Sequence, residues 1–244
     1  MEDNSILSSS LIRVRPRPEQ SAKEAMDIAL SKSDLSLEDI NHCVSTGYGR
    51  EMIPFATSSI SEISCHGRGA HWVVPSIRTV IDIGGQDCKA IRVDERGNML
   101  NFAMNDKCSA GTGRFLEIMA KTLGVDLDKL GPLALSSKAP VAITNVCSVF
   151  IQFEVMCMTS EGKNRSDIAA GIARAMADRL NTIVKKVSVK EDVAVTGGVA
   201  KNVAVVNNLK EILGVEILEF KKIDPQIIGA LGAALFANER SQRG

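Results

Sequence analysis

The chain has 244 residues, 45% of them hydrophobic, which is enough to bury one large core or two smaller ones. Lysine plus arginine and aspartate plus glutamate both total 29, so no overall field favours nucleic acid or an anionic membrane as a partner. No apolar run approaches the roughly 20 residues that span a bilayer, no secretory signal is present at the start, and six cysteines without a disulfide framework indicate a reducing, cytoplasmic compartment.

The first 77 residues predict short elements of mixed type. Ser36-Leu-Glu-Asp39 has the form of a helix capping box. Cys65 and His66, within a predicted helix, would form a poor metal pair because neighbouring helix residues point away from each other, so we interpret both as packing or surface groups. The expected elements are a short strand over 10–14, a helix over 21–32, a strand over 42–46 and a helix over 61–71.

A strand that ends in paired glycines is the clearest sign of a nucleotide site. The strand over 80–83 runs into Gly84 and Gly85, where a backbone without side chains can approach a phosphate. An ordinary tight turn is the alternative, and this motif alone does not separate the two. A hairpin over 89–93 and 98–104 is predicted to follow.

Two cysteines each precede a helical pattern. Cys108 stands before a glycine-rich turn and an amphipathic helix, and Cys147 stands before apolar residues at helical spacing, which are Val149, Phe150, Phe153 and Met156. The amides and the dipole of a helix N-terminus stabilise an anionic group, such as an iron–sulfur cluster held on thiolates. Because a [4Fe–4S] cluster usually takes four cysteines, a twofold dimer would supply the other two. The alternative is a pair of buried core thiols, since no C-x-x-C pair is present.

The rest of the chain predicts alternating helices and strands. Thr196-Gly-Gly198 repeats the arrangement of a strand followed by two glycines, and a plain strand-to-helix turn is again the alternative. The expected elements are helices over 127–137, 147–158, 166–187, 202–213 and 225–235, with strands over 193–195 and 214–218.

Four blocks of sequence together resemble a known family. They are Val80-Ile-Asp-Ile-Gly-Gly-Gln-Asp87, Asn105-Asp-Lys-Cys-Ser-Ala-Gly-Thr-Gly-Arg-Phe-Leu-Glu117, the segment around Cys147, and Thr196-Gly-Gly-Val-Ala-Lys-Asn202. From about residue 45 to about residue 237 the chain is similar to the BadF/BadG/BcrA/BcrD-type ATPases, which are activators of 2-hydroxyacyl-CoA dehydratases and ATPase subunits of benzoyl-CoA reductases. The resemblance implies an α/β fold of two lobes, of the actin, Hsp70 and sugar kinase type.

The resemblance also implies cofactors, partners and site residues. It implies ATP, Mg²⁺ and one [4Fe–4S] cluster shared between two subunits, which form a homodimer or a pair of related chains. The implied partners are a CoA-thioester dehydratase or reductase and reduced ferredoxin or flavodoxin as electron source, with no nucleic acid and no membrane. The implied residues are Asp82 for Mg²⁺ or the attacking water, Gln86 beside it, Gly84, Gly85, Gly197, Gly198 and Gln226 at the nucleotide, and Cys108 and Cys147 as cluster ligands.

The chain departs from the family at its start. The family's first Asp-x-Gly phosphate loop has no counterpart, because the first glycine is Gly47. We therefore interpret 1–77 as a remnant of the first lobe, 78–224 as the second lobe with the cluster helices, and 225–244 as a helix returning to the first lobe. A missing piece of the natural protein is favoured over a diverged form, because every later motif is intact.

The absent loop puts ATP hydrolysis by this chain in question and leaves two rival functions. Several charge-assisted hydrogen bonds to phosphate would be lost with the loop, so weaker nucleotide binding is expected. One rival is a small-molecule kinase of the same fold, which would give the two cysteines no purpose. The other is a subunit that carries the cluster without hydrolysing ATP.

Overall fold

The structure is a computed structural model that describes residues 1, 5–105, 107–144 and 147–242. Its helices are α1 (Pro18–Ser31), α2 (Glu62–Val73), α3 (Gly113–Leu123), α4 (Leu127–Leu135), α5 (Ser148–Ser160), α6 (Arg165–Val184), α7 (Val203–Leu213) and α8 (Ile228–Ser241). Its strands are β1 (Val44–Ser45), β2 (Ser58–Ser59), β3 (Thr79–Ile83), β4 (Cys88–Val93), β5 (Met99–Asn105), β6 (Val193–Thr196) and β7 (Ile217–Leu218). None of the helices in this described part is long and apolar enough to cross a membrane.

A five-stranded mixed sheet in the order β5-β4-β3-β6-β7 forms the centre of the molecule. Strands β3, β6 and β7 run parallel to one another, whereas β4 is antiparallel to β3 and to β5. Every residue of β3 and β6 is buried, which agrees with their mainly apolar sequences. The parallel pair of β1 and β2 forms a separate small sheet.

Helices cover the two faces of the large sheet. Because side chains alternate along a strand, Val80 points to one face of β3, and Ile81 and Ile83 point to the other. Helices α2 and α8 pack on the Val80 face, and the larger core on the opposite face includes residues of α3 to α7. The buried stripe of α6, which the sequence predicts, lies in this larger core and consists of Ile168, Ile172, Met176, Leu180 and Ile183.

Helices α2 and α8 cross with their backbones in direct contact. A methyl group added at Gly232 would overlap the carbonyl of Cys65, and one added at Gly69 would overlap the carbonyl of Ile228. The crossing therefore depends on the absence of side chains on both helices. Because α8 also contacts β1, the pair connects the small sheet to the large one.

Most of the predicted elements are present, and their departures from the prediction have local causes. The strand predicted over 10–14 is wrong, because Ser8 and Ser10 donate hydrogen bonds to carbonyls of α1 and keep the segment beside that helix. The strand predicted over 214–218 is shorter, since Gly214 adopts a left-handed conformation at the end of α7. The division into lobes stays a prediction.

Substitution of Gly232 by alanine tests the backbone crossing. Alanine normally favours a helix over glycine, yet we expect Gly232→Ala to lower the unfolding free energy by about 1–3 kcal/mol because α2 must move away. A fall in Tm of roughly 2–12 °C should follow, measured by differential scanning calorimetry. The control is Gly85→Ala, whose methyl group would meet nothing within 4 Å. Equal Tm values for the two variants would contradict the crossing.

Candidate functional site

The sequence-predicted nucleotide residues meet where β3 and β6 end side by side. Asp82 and Thr196 are register partners at this edge, and both side chains are buried. The Thr196 hydroxyl donates to Asp82 Oδ1 at 3.3 Å. Gly197 follows with φ +83°, and a methyl group there would overlap the backbone of Ile83. The two glycine turns are therefore packed against each other, and only residues without side chains fit between them.

The turn after β3 leaves room for a ligand. The amide of Gly84 donates to the carbonyl of Asp87 at 3.0 Å, which closes a tight turn. Gly85 and Gln86 at its tip are exposed, and a methyl group at Gly85 would touch nothing within 4 Å. The turn thus offers an open backbone surface of the kind that phosphate groups bind.

Gln226 lies at the same edge, beside the second glycine turn. A methyl group at Gly198 would lie 3.2 Å from Gln226 Nε2. Lys201 Nζ donates to Gln226 Oε1 at 2.7 Å and to Asp224 Oδ2 at 2.6 Å. Sequence reasoning missed Lys201 and Asp224. Asp224 caps the turn that begins at Pro225, and an Asp-Pro pair at a predicted helix start was the available signal.

A buried lysine lies beneath the turn after β3. The side chain of Lys89 is 2% exposed, and its Nζ lies 2.6 Å from Asp87 Oδ1, 3.5 Å from Asp82 Oδ2 and 3.6 Å from Glu62 Oε1. Burial alone would lower the pKa of Lys89, but the carboxylates of Asp82, Asp87 and Glu62 outweigh it and raise that pKa above the ordinary value. Its contribution to stability is therefore complete at neutral pH and is lost only as the pH rises through the raised pKa.

Two residues of α2, Glu62 and His66, extend the buried group of charged residues around Lys89. Glu62 accepts from Arg50 Nη1 at 3.0 Å, and His66 Nδ1 lies 2.9 Å from Thr196 Oγ1. His66 is a packed residue, as interpreted from the sequence, but that interpretation missed the contact of its ring with Thr196. The only sequence signal for Lys89 was a charged residue inside the otherwise buried strand β4.

The loops that carry the two candidate cluster cysteines are in contact. The hydroxyl oxygens of Ser109 and Ser148, which directly follow Cys108 and Cys147, are 2.9 Å apart. Both cysteines are free and partly exposed, so the alternative of two sealed core thiols does not hold. Burial instead raises the pKa of Cys65 to about 11 and that of Cys88 to about 12.

Cys108 and Cys147 differ in how close they lie to the N-terminus of the helix that follows each of them. Cys147 is the N-cap residue of α5, as predicted, and no side chain caps the first turn of that helix. Cys108 precedes a glycine-rich turn and then a helix, as predicted, but the turn separates it from the N-terminus of α3, which begins at Gly113 with Thr112 as its N-cap residue. The intervening turn is closed by Thr112, whose amide and hydroxyl both donate to the carbonyl of Ser109.

The first amides of α3 bind the turn after β3. Gly113 N donates to the carbonyl of Gly84 at 2.8 Å, and Arg114 N donates to that of Gly85 at 3.0 Å. The Cys108 loop and the candidate phosphate turn therefore share backbone hydrogen bonds. Among the residues that the structure describes, no three or more His, Cys, Asp or Glu side chains are grouped to hold a metal.

Two glycine turns and a buried carboxylate at the ends of parallel strands, with helices on both faces of the sheet, define an ATPase of the actin, Hsp70 and sugar kinase fold class. A search for families identifies residues 5–237 as the BadF/BadG/BcrA/BcrD ATPase family. The chain belongs to this family.

Individual relatives agree with that assignment. The solved structure of (R)-2-hydroxyglutaryl-CoA dehydratase component A from Acidaminococcus fermentans matches with a TM-score of 0.92 and 42% identity, over 98% of this chain and 91% of that one. The Clostridium difficile 2-hydroxyisocaproyl-CoA dehydratase activator with bound ADPNP matches with a TM-score of 0.86 and 42% identity, over 91% and 82%. A benzoyl-CoA reductase subunit of Thauera aromatica is 33% identical over 95% of this chain and 83% of its own length.

Replacement of Lys89 by methionine tests the buried polar cluster. Methionine keeps the length of the side chain but removes the cation shared by Asp82, Asp87 and Glu62, of which Glu62 keeps its ion pair with Arg50. We expect Lys89→Met to lower the unfolding free energy by about 3–5 kcal/mol, measured by urea denaturation at pH 7. Lys129→Met, which breaks the exposed pair with Asp126, is the control and should have no measurable effect. A Lys89→Met variant as stable as the parent would contradict the assigned charges.

Proposed function

We propose that this protein is an ATP-dependent iron–sulfur activator, which passes an electron to a CoA-thioester dehydratase or to an aromatic-ring CoA reductase. The observation that carries the proposal is the contact between Ser109 and Ser148, which brings the loops of Cys108 and Cys147 together at the surface. Relatives named as dehydratase activators and as part of a benzoyl-CoA reductase support the two partner classes.

The two thiols fit half of a [4Fe–4S] site. They are free and partly exposed, and the uncapped first turn of α5 directs unpaired amides toward the group that Cys147 would hold. Gly111 in the Cys108 loop has φ +100°, a backbone conformation that favours glycine, so the shape of this loop depends on that residue. A cluster bound there would supply one electron to the partner enzyme. Reduced ferredoxin or flavodoxin is the proposed source.

A second copy or a related subunit would supply the other two ligands. The outward face of α5 supports such a pairing, because it is apolar and begins next to Cys147. Its members are Val149, Phe150, Phe153 and Met156, which are 52% to 68% exposed. The opposite face of α5 packs into the core through Ile151, Val155 and Met158. An apolar strip of this size beside the thiols is best explained by contact with another subunit.

Nucleotide binding would act on the thiols through α3. In the proposal, Gly84 and Gly85 bind phosphate groups and Gly197, Gly198 and Gln226 lie at the rest of the nucleotide. Asp82 positions Mg²⁺ or the attacking water, with Gln86 beside it. Since Gly113 and Arg114 bind the carbonyls of Gly84 and Gly85, movement of the phosphate turn would move the Cys108 loop as well.

Removal of the two cysteines tests the cluster. In protein purified without oxygen, we expect iron near two atoms per chain, because one [4Fe–4S] cluster is shared by two chains, and a particle mass of two chains. Cys108→Ala and Cys147→Ala should each lose nearly all iron and shift the mass toward one chain. Cys157→Ala, farther along α5, is the matched control and should retain both. Full iron content in either of the first two variants would refute the ligand assignment.

Substitution of Asp82 tests the ATPase activity. We expect Asp82→Asn to lower the rate of ATP hydrolysis by about 100-fold or more, because the carboxylate that orients Mg²⁺ or water is lost, while iron content stays unchanged. Asp128→Asn, an exposed change on α4, is the control. Iron without turnover in the parent protein would instead favour the cluster-carrying protein that does not hydrolyse ATP. Phosphoryl transfer to a small acceptor in air would favour the kinase.

A further inference from the structure

The ring of His66 on α2 contacts residues of β3, β6 and α8, next to the carboxylate of Asp82. It extends from α2, its Nδ1 lies 2.9 Å from Thr196 Oγ1 on β6, and its Nε2 lies 3.5 Å from Asp82 Oδ1 on β3. The Thr196 hydroxyl has one hydrogen and donates it to Asp82. With that hydrogen directed to Asp82, the hydroxyl can accept from His66, an arrangement in which Nδ1 carries the ring hydrogen.

A second side chain of α2 reaches the same carboxylate from the other side. Glu62 precedes His66 by one helical turn and therefore shares its face of the helix. Glu62 contacts Lys89, and Lys89 in turn contacts Asp82 Oδ2 at 3.5 Å. Each oxygen of Asp82 is thus held by a different group, Oδ1 by Thr196 and Oδ2 by Lys89. Both of these groups are bound to α2.

The packing of α2 against α8 restricts the movement of His66 and Glu62. A methyl group at Gly229 of α8 would lie 2.7 Å from His66 Nε2, so the ring packs directly on that backbone. The contacts at Gly69 and Gly232 fix the rest of the crossing, as described above. Movement of α2 would therefore change the hydrogen bonds of the Asp82 carboxylate.

We propose that α2 positions the Asp82 carboxylate for ATP hydrolysis through two positioning residues, His66 acting through Thr196 and Glu62 acting through Lys89. This inference rests on the proposed role of Asp82. Neither His66 nor Glu62 contacts the nucleotide in this scheme. Their effect is to fix both oxygens of the carboxylate, and a misplacement of about 1 Å at such a group can lower a rate by about 100-fold.

A pair of isosteric variants separates positioning from packing. The amide nitrogen of asparagine can occupy the place of Nδ1, whereas that of glutamine occupies the place of Nε2. We expect His66→Asn to keep kcat within about threefold of the parent, and His66→Gln to lower kcat by about tenfold or more with little change in KM. His71→Gln, on the same helix but facing the hairpin at Gly97, is the matched control and should keep the parental kcat. Glu62→Gln should also lower kcat.

Combination with Asp82→Asn identifies the group on which His66 acts. Once the carboxylate is gone, adding His66→Gln should cause no further loss of kcat, because both changes affect one unit. Thermal unfolding and iron content are measured on every variant. An unchanged kcat in His66→Gln, an equal loss in His71→Gln, or a further loss in the double variant would each overturn the inference while leaving the proposed function intact. If the parent and Asp82→Asn proteins hydrolyse ATP equally, or not at all, the role of Asp82 fails and the inference fails with it.

Discussion

Two backbone hydrogen bonds join the Cys108 loop to the glycine turn after β3. The amides of Gly113 and Arg114 donate them to the carbonyls of Gly84 and Gly85. The first amides of a helix have no partner within the helix, so a bond made there restores what the helix cannot supply. Here those partners are carbonyls of the glycine turn. A methyl group at Gly113 would lie 3.2 Å from the Gly84 carbonyl, so the approach depends on a small residue. The Cys108 loop and the glycine turn after β3 are therefore joined directly by backbone hydrogen bonds.

Much of the fold could be predicted because its signals are local. The periodicity of α3 and α7, their C-terminal glycines and the glycine pairs after β3 and β6 are all visible in short windows of sequence. The contacts of the site are not local. His66 and Thr196 are 130 residues apart, and Lys89 on β4 meets the carboxylate of Glu62 on α2. No window of the sequence contains such a pairing, so only the structure reveals it.

The orientation of α5 shows a different limit. Two of its faces are apolar, one with Phe150 and Phe153 and the other with Ile151 and Val155. A helix that is apolar on nearly all sides does not reveal which side packs inward. The thiols show the same limit, because sequence gives each cysteine the same chemistry. Position in the fold separates Cys65 and Cys88, whose pKa values burial raises, from the accessible pair at 108 and 147.

The crossing of α2 and α8 has a consequence for biosynthesis. Helix α2 is made early, yet its backbone fits against residues 228–241, which leave the ribosome more than 150 residues later. Until α8 is synthesised, α2 lacks the backbone at Gly229 and Gly232 on which it packs. His66 therefore cannot take its final position during most of translation. The packing of His66 against the backbone of α8 is therefore completed only when the last helix docks.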